Sequence, residues 1–409
     1  MAKEEFRVYG YRWVILAVFM CVVMVNQLLW ITFAPVTGSA AAFYKVTDLS
    51  IGLLSMIFMV VYIFVSIPAS WVIDTYGFRV AVGIGAVLTG VFGLIRGLAA
   101  DHFAWVLIAQ TGIAIGQPFL LNAMTTVAAR WFPISERAIA SGLGSLAMYL
   151  GIIFGMILTP LLVLQSGIPG TLVIYGIVAV ASALLFILFA KERPPTPACL
   201  PGQEERSLVF DGLKSMLGKR NYLLLLVIFF IGLGVFNAVA TWIEEIVRPR
   251  GFTITQAGVA GGLMILGGLV GAVVLSWLSD HYRKRVPFIL MALSVSCLGL
   301  AGVTFATQYE LLLGSSFVLG FFLLSAGPIG FQYGAEIAYP APEGTSNGLL
   351  LLMGQISGII FILGMDQLKS AGTGSMTLSL VILTGLMLVA FAVATRLRES
   401  TLLTGKKED

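Results

Sequence analysis

Apolar residues fill blocks of roughly 20 or more positions along nearly the whole chain, broken only by brief charged or Gly/Pro-containing stretches. Blocks that long and uniform are expected of helices that cross a bilayer, not of amphipathic helices or alternating strands. Divided at the charged breaks, the pattern predicts twelve helices, at 13–37, 49–73, 80–99, 104–129, 137–164, 169–190, 221–247, 255–279, 286–307, 309–335, 345–368 and 375–396. Most connections hold only a few residues. The exception is 191–220, beginning K-E-R-P-P-T-P-A-C-L-P-G-Q-E-E-R, which is polar and Pro-rich. It reads as a linker between an N-terminal six-helix bundle, 1–190, and a C-terminal one, 221–409. The expected fold class is an all-α polytopic membrane protein.

Composition agrees. Of 409 residues 58% are hydrophobic and only 11% charged, with mean hydropathy +0.98, where soluble domains carry about a quarter charged. A nucleic-acid binder needs a basic face on a soluble domain, and none is predicted. Charge placement orients the chain. Nineteen of the 24 Lys and Arg fall in one set of loops with both termini, four fall in the other set, and Arg96 lies inside a span. By the positive-inside rule both termini and the linker are expected in the cytoplasm, with the chain in the plasma (inner) membrane. Enzyme and pump chemistry find no footing. There is no G-x-x-x-x-G-K-[ST] loop, Cys21, Cys199 and Cys297 form no metal pair, and His102 and His281 lie in loops on opposite sides. No cofactor or metal is expected. A small-molecule substrate and membrane lipid are the expected partners, without nucleic acid, for a chain acting as a monomer.

An internal repeat divides the chain. Trp71-V-I-Asp74-T-Tyr76-G-F-Arg79 and Trp277-L-S-Asp280-H-Tyr282-R-K-Arg285 both fit W-x-x-D-x-Y-x-x-R, 206 residues apart. Pro133-I-S-Glu136 and Pro340-A-P-Glu343 share P-x-x-E, 207 apart. Two parallel six-helix halves resemble the architecture of the major facilitator superfamily. Asp74-T-Y-Gly77-F-Arg79 resembles that superfamily's loop motif after the second helix, although Ser70, Thr75 and Phe78 stand where Gly and two basic residues are usual. The resemblance implies that Asp74, Gly77 and Arg79, with Asp280 and Arg285 in the second copy, brace helix ends and bias a conformational equilibrium.

Polar residues inside the apolar blocks are the candidate chemistry. Asn26, Trp30 and Phe33 share one helical face. A buried amide without a partner costs on the order of 1–3 kcal/mol, so such groups are expected to face protein or a water-filled cavity. Gln110, Gln117, Asn122, Asn237, Thr241, Gln332 and Gln355 are comparable insertions, drawn from both halves. If the halves face each other, they converge near the midplane, where transporters hold substrate. An indole face can hold an organic cation, worth about 2 kcal/mol when desolvated. Trp30 is read in that role, against packing or an outer aromatic belt. Gln117 and Gln355 either hydrogen-bond a substrate hydroxyl or bridge helices.

Charges are fewer. Glu244 and Glu245 lie beside Arg248 and Arg250 and read as paired, solvated mouth charges, with Glu244 also a candidate for attracting substrate or coupling transport to protons. Arg96 is expected to snorkel. Glu336 is assigned to a gate-closing pair with Arg130 or another loop cation. No carboxylate falls clearly mid-bilayer, which favours facilitated diffusion over proton symport. Gly142, Gly144, Gly151 and Gly155, with Gly258, Gly267 and Gly271, form small-residue faces for close helix approach, as tight packing and as a rocking contact between halves.

A narrower resemblance covers most of the chain. Arg12-W-V-I-L-A-V-F, Asn26-Q-L-L-Trp30-I, Ile67-P-A-S-W-V-I-D-T-Y-G-F-Arg79, Arg130-W-F-P and Glu336-I-A-Y-P-A-P-E-G-T-S-N-G-L-Leu350 are similar to the feline leukaemia virus subgroup C receptor-related proteins. That resemblance implies an alternating-access facilitator of choline or ethanolamine, with Trp30 as a choline-contacting ring and Gln117 and Gln355 as cavity glutamines. The family's second aromatic wall, a Tyr after G-x-F, is replaced here by Asn237 in Gly234-V-Phe236-Asn237. Either Phe236 supplies the second ring, or Asn237 turns the site toward a primary amine or neutral polar ligand. Facilitative uniport is the reading carried forward. A proton-coupled carrier of another organic solute or haem-like metabolite, and a non-transporting receptor, are the alternatives.

Overall fold

The computed structural model describes residues 8–133, 136–196, 216–339 and 343–400. Cys199, most of the predicted linker and the Pro340–Pro342 stretch of the repeat lie outside them. The described residues form helices and no strand. In chain order these are α1 (Arg12–Ile31), α2 (Thr37–Tyr44), α3 (Asp48–Tyr76), α4 (Phe78–Leu98), α5 (Phe103–Leu121), α6 (Met124–Trp131), α7 (Arg137–Phe189), α8 (Arg220–Thr241), α9 (Ile243–Val247), α10 (Ile254–Tyr282), α11 (Val286–Phe305), α12 (Tyr309–Ala338), α13 (Glu343–Gln367) and α14 (Thr377–Ala394).

Eleven apolar stretches among the described residues are long enough to cross a bilayer. The predicted fifth and sixth spans are run together as α7. At 1.5 Å per residue its 53 residues would reach about 80 Å, far beyond a roughly 30 Å hydrocarbon core. The chain resolves this at Gly167, whose φ of 69° and ψ of 178° break α7 into two legs. Three other predicted spans are broken instead of continuous, the fourth span at Asn122–Ala123 between α5 and α6. The first ends at Ile31 and resumes through a 3-10 turn at Ala34–Val36, and the seventh breaks at Trp242 between α8 and α9.

The chain divides into two compact units, residues 1–33 with 39–207, and residues 34–38 with 208–409. In the first unit α1 packs on the first leg of α7, α4 on its second leg and on α5, and α3 on α5. The second unit repeats the order, with α8 on α13, α11 on α14 and α12, and α10 on α12. The helix starts repeat as well. Thr47 caps α3 by accepting from Ser50 N at 3.2 Å. Thr253, 206 residues later, caps α10 by accepting from Gln256 N at 3.2 Å, while Gln256 Oε1 accepts from Thr253 N at 3.0 Å.

The small-residue faces are used inside each unit. A Cβ on Gly151 would lie 2.1 Å from the Met24 carbonyl of α1, and one on Gly271 1.9 Å from the Phe321 carbonyl of α12. Only hydrogen fits at either place, so backbones there touch without side chains between them. The core of the first unit joins Phe19 and Val23 of α1 to Phe78 and Val82 of α4, Leu120 of α5, and Phe186 of α7.

Candidate functional site

The break after α1 frees backbone carbonyls that buried side chains collect. Thr32 donates to Leu28 O at 2.9 Å. Arg96 of α4 donates to Leu29 O at 3.1 Å and to Gln110 Oε1 at 2.7 Å. Gln110 of α5 donates in turn to Leu29 O at 3.2 Å and to Leu54 O of α3 at 3.1 Å. The expected snorkelling of Arg96 is therefore corrected. The residue is fully buried, with Phe33 5.7 Å beneath its guanidinium, because the freed carbonyls at this break offer acceptors that lipid does not.

The amide candidates separate into engaged and unengaged groups. Asn26 donates from Nδ2 to Thr89 Oγ1 of α4 at 3.0 Å and to Ile113 O of α5 at 3.4 Å, so it ties three helices. Trp30 is 7% exposed and donates from Nε1 to Ser55 O of α3 at 3.1 Å, which fixes the tilt of its ring. Asn122, at the break between α5 and α6, accepts from Tyr62 OH at 2.8 Å and donates to Ser66 and Ser70 of α3. Gln117 is buried with no hydrogen bond among the described residues.

The second unit shows the same division. Asn237 donates to Gly354 O of α13 at 3.1 Å, and Trp242 donates to Ile362 O at 3.1 Å across the break after α8. Phe236 is buried, 206 residues after Trp30, at the offset of the loop repeat. Gln355 is half-buried and has no hydrogen bond among the described residues. Gln332 does not join this group. It is exposed and donates to Glu336 Oε1 at 3.1 Å, because one helical turn separates them at the end of α12.

Glu244 and Glu245 are buried rather than solvated, a second correction. Arg248 lies 2.6 Å from Glu245 and 3.6 Å from Glu244, and Lys369 lies 2.5 Å from Glu245. Glu244 also accepts from the backbone N–H of Gly38, in the first turn of α2, at 2.9 Å. Arg250 does not pair with them. It donates to Val303 O and Ala306 O at 2.7 and 2.8 Å, closing the C-terminal end of α11, where burial lowers its pKa from the ordinary value.

The two copies of the loop motif differ. In the second, Arg285 donates to Asp280, to Ser279 Oγ at 3.1 Å and to Glu336 Oε1 at 3.1 Å. Burial opposes its charge, but Asp280 and Glu336 outweigh it and raise its pKa above the ordinary guanidinium value. In the first copy Asp74 and Arg79 are exposed and form no ion pair among the described residues. Arg130 lies 3.7 Å from Glu192, so Glu336 finds its cation within its own unit instead.

Two residues escaped the sequence reading. Glu192 accepts from Arg79 N at 2.7 Å at the start of α4, and Glu399 accepts from Arg285 N and Val286 N at 3.1 and 3.0 Å at the start of α11. Each puts a carboxylate on a helix N-terminus, where N–H groups and dipole both favour it. Gly77 serves the first of these sites. Its φ of 88° suits glycine, and a Cβ there would lie 2.3 Å from the Glu192 carboxylate. The available signal was a third repeat offset, 207 residues from Glu192 to Glu399.

The sequence of this duplicated helical chain matches the Major Facilitator Superfamily over residues 15–362. The chain belongs to that superfamily, in solute carrier family 49. It is 32% identical over 384 residues to solute carrier family 49 member A3 of Xenopus tropicalis, covering 90% of this chain and 80% of the relative. The Danio rerio relative of the same name is 35% identical over 385 residues, covering 90% and 81%. The choline/ethanolamine transporter FLVCR1 of Felis catus is 28% identical over 407 residues, covering 93% and 72%, so the feline leukaemia virus receptor resemblance extends along the chain. Among solved structures, a bacterial homologue of the human lysosomal transporter Spinster, inward-facing and unoccupied, superposes with a TM-score of 0.77 over 95% of this chain and 97% of that one. At 16% identity that likeness is one of fold. The chain is an integral membrane protein of a transporter superfamily.

Proposed function

We propose that this solute carrier family 49 member moves a small polar organic cation, choline or ethanolamine, by alternating access and as a facilitative uniporter. Supporting the substrate reading are the family relatives named choline/ethanolamine transporters. The observation that carries it is the pair of buried or half-buried glutamine amides, Gln117 in the first unit and Gln355 in the second, without hydrogen bonds among the described residues. Neither amide is committed to a neighbouring residue, so each has its donors and acceptor open to a substrate hydroxyl or amine. Trp30 supplies an aromatic face for the cation in the first unit, and Phe236 is the residue at the repeat offset in the second. Asn26 and Asn237 hold helices around these groups. The uniport reading rests on the pairing of Glu244 and Glu245 with Arg248 and Lys369, which stabilises them as structural ions. Both termini are placed in the cytoplasm by the positive-inside bias, and the plasma membrane is the proposed location.

Uptake of labelled choline into proteoliposomes, with and without a pH gradient, tests this reading. Saturable uptake is expected, competed by ethanolamine and indifferent to the gradient, with KM raised at least tenfold in Trp30→Ala, Gln117→Ala and Gln355→Ala. Folded wild-type protein that takes up neither amine would refute the substrate class, and uptake that follows the gradient would refute uniport.

A further inference from the structure

The first motif copy leaves Arg79 unused by the bracing role, and a groove runs beside it. The groove has a volume of about 520 Å³ and lies between the start of α4 and the end of α7, with Arg79, Gly83, Ile84, Val87, Phe186 and Ile187 among its walls. Ile84, Val87 and Ile187 are exposed apolar side chains on a membrane-spanning surface. A Cβ on Gly83 would meet nothing within 4 Å, so the missing side chain opens the groove. From Arg79 to Leu88 the groove follows α4 for roughly 13 Å into the bilayer.

Arg79 is the charged residue of that lining, exposed and with no side-chain partner among the described residues. Glu192 is engaged by the Arg79 backbone N–H at 2.7 Å and lies 3.7 Å from Arg130. The Arg79 guanidinium is left for another anion. Trp71 and Tyr76, exposed and edge to face at 5.8 Å, belong to the same end of α3, where aromatic residues mark headgroup depth. A cation at headgroup depth above an apolar groove on the membrane-spanning surface matches one ligand class.

We propose that this groove is a binding site for a phospholipid of net negative headgroup, with its phosphate on Arg79 and one acyl chain over Gly83. A zwitterionic lipid of the same chains fills the groove but brings its own cation to compete at Arg79. The site therefore selects by headgroup charge as well as by chain.

Native mass spectrometry of the delipidated full chain, titrated with phosphatidylglycerol or phosphatidylcholine of identical acyl chains, tests it. Phosphatidylglycerol is expected to form the first adduct at lower concentration. Arg79→Gln should weaken that adduct roughly five-fold, about the contribution of one basic side chain at an anionic surface, and Arg79→Lys should largely restore it. Gly83→Leu, which has open room and should fold, is expected to weaken the first adduct of both lipids. Arg283→Gln, an exposed cation of the other unit, serves as the control. The proposal is overturned if Arg79→Gln binds phosphatidylglycerol like wild type, if Arg283→Gln loses as much, if Gly83→Leu changes nothing, or if a dimer forms in place of the lipid adduct.

Discussion

The two copies of W-x-x-D-x-Y-x-x-R predict opposite outcomes for the same substitution. Arg285→Met removes a side chain that is 8% exposed and leaves Glu336, 9% exposed, with Gln332 as its remaining side-chain donor. Breaking a buried ion pair costs about 3–5 kcal/mol, because the survivor stays desolvated without its counter-charge. The Gln332 bond offsets on the order of 1 kcal/mol of that. Asp280, 66% exposed, is rehydrated and adds little. The expected loss is about 2–4 kcal/mol. For a unit of this size each kcal/mol moves Tm by about 2–4 °C, which gives a drop of roughly 4–16 °C. Arg285→Met combined with Glu336→Met removes both charges, and replacing a buried pair by apolar groups is commonly neutral or stabilising, so most of the loss should return. Arg79→Met, exposed and unpaired among the described residues, should stay within about 0.5 kcal/mol. Thermal unfolding of the purified chain in neutral, lipid-free detergent, followed by tryptophan fluorescence, measures all four proteins. The reasoning fails if Arg285→Met melts within 2 °C of wild type, or if the double variant melts no higher than Arg285→Met.

Other substitutions give sharper contrasts still. Gly77→Ala should lose roughly 1–3 kcal/mol through its backbone conformation and more through the Glu192 clash, and adding Glu192→Ala should recover only the second part in the same melt. Asn26→Leu strands buried Thr89 and should lower stability by about 1–3 kcal/mol, whereas Gln117→Leu should raise the KM for choline without lowering Tm; the reverse pattern would exchange their assigned roles. Thr253→Ala breaks the capping box of α10 and should cost about 1 kcal/mol, visible as faster amide exchange in its first turn.

Much of the architecture was legible because hydrocarbon leaves so few choices. Long apolar blocks report spanning helices directly, and the offset of 206 residues reports duplication without reference to any contact. Helix breaks were less legible. Gly167 divides α7 within the short connection the reading allowed, but the break near Phe33 falls inside an apolar block with no charge to mark it, and the one at Trp242 lies just before Glu244 and Glu245, which were read as the end of one continuous span. The burial of Arg96 follows from the first of these. A continuous first helix would close its own carbonyls and leave the arginine to reach for the interface, whereas a broken one offers Leu29 O in the interior. Glu245 was read as solvated for a related reason, since Lys369 is 124 residues away in the chain and its approach depends on packing.

The candidate site is where backbone accounting decides what composition leaves open. Gln110 and Gln117 are the same residue type on one face of α5, seven positions and about 10 Å apart. Gln110 lies level with the end of α1, meets the carbonyls of Leu29 and Leu54, and is fully engaged. Gln117, two turns further along α5, is buried and has no hydrogen bond among the described residues. Asn237 and Gln355 divide in the same way around α13, the first taking the Gly354 carbonyl and the second standing one residue further round the helix. A polar residue in an apolar block is therefore ambiguous until every nearby N–H and C=O has been assigned. Those that repair breaks hold the bundle, and under the proposed function those left unmatched after the repair are the ones a solute completes.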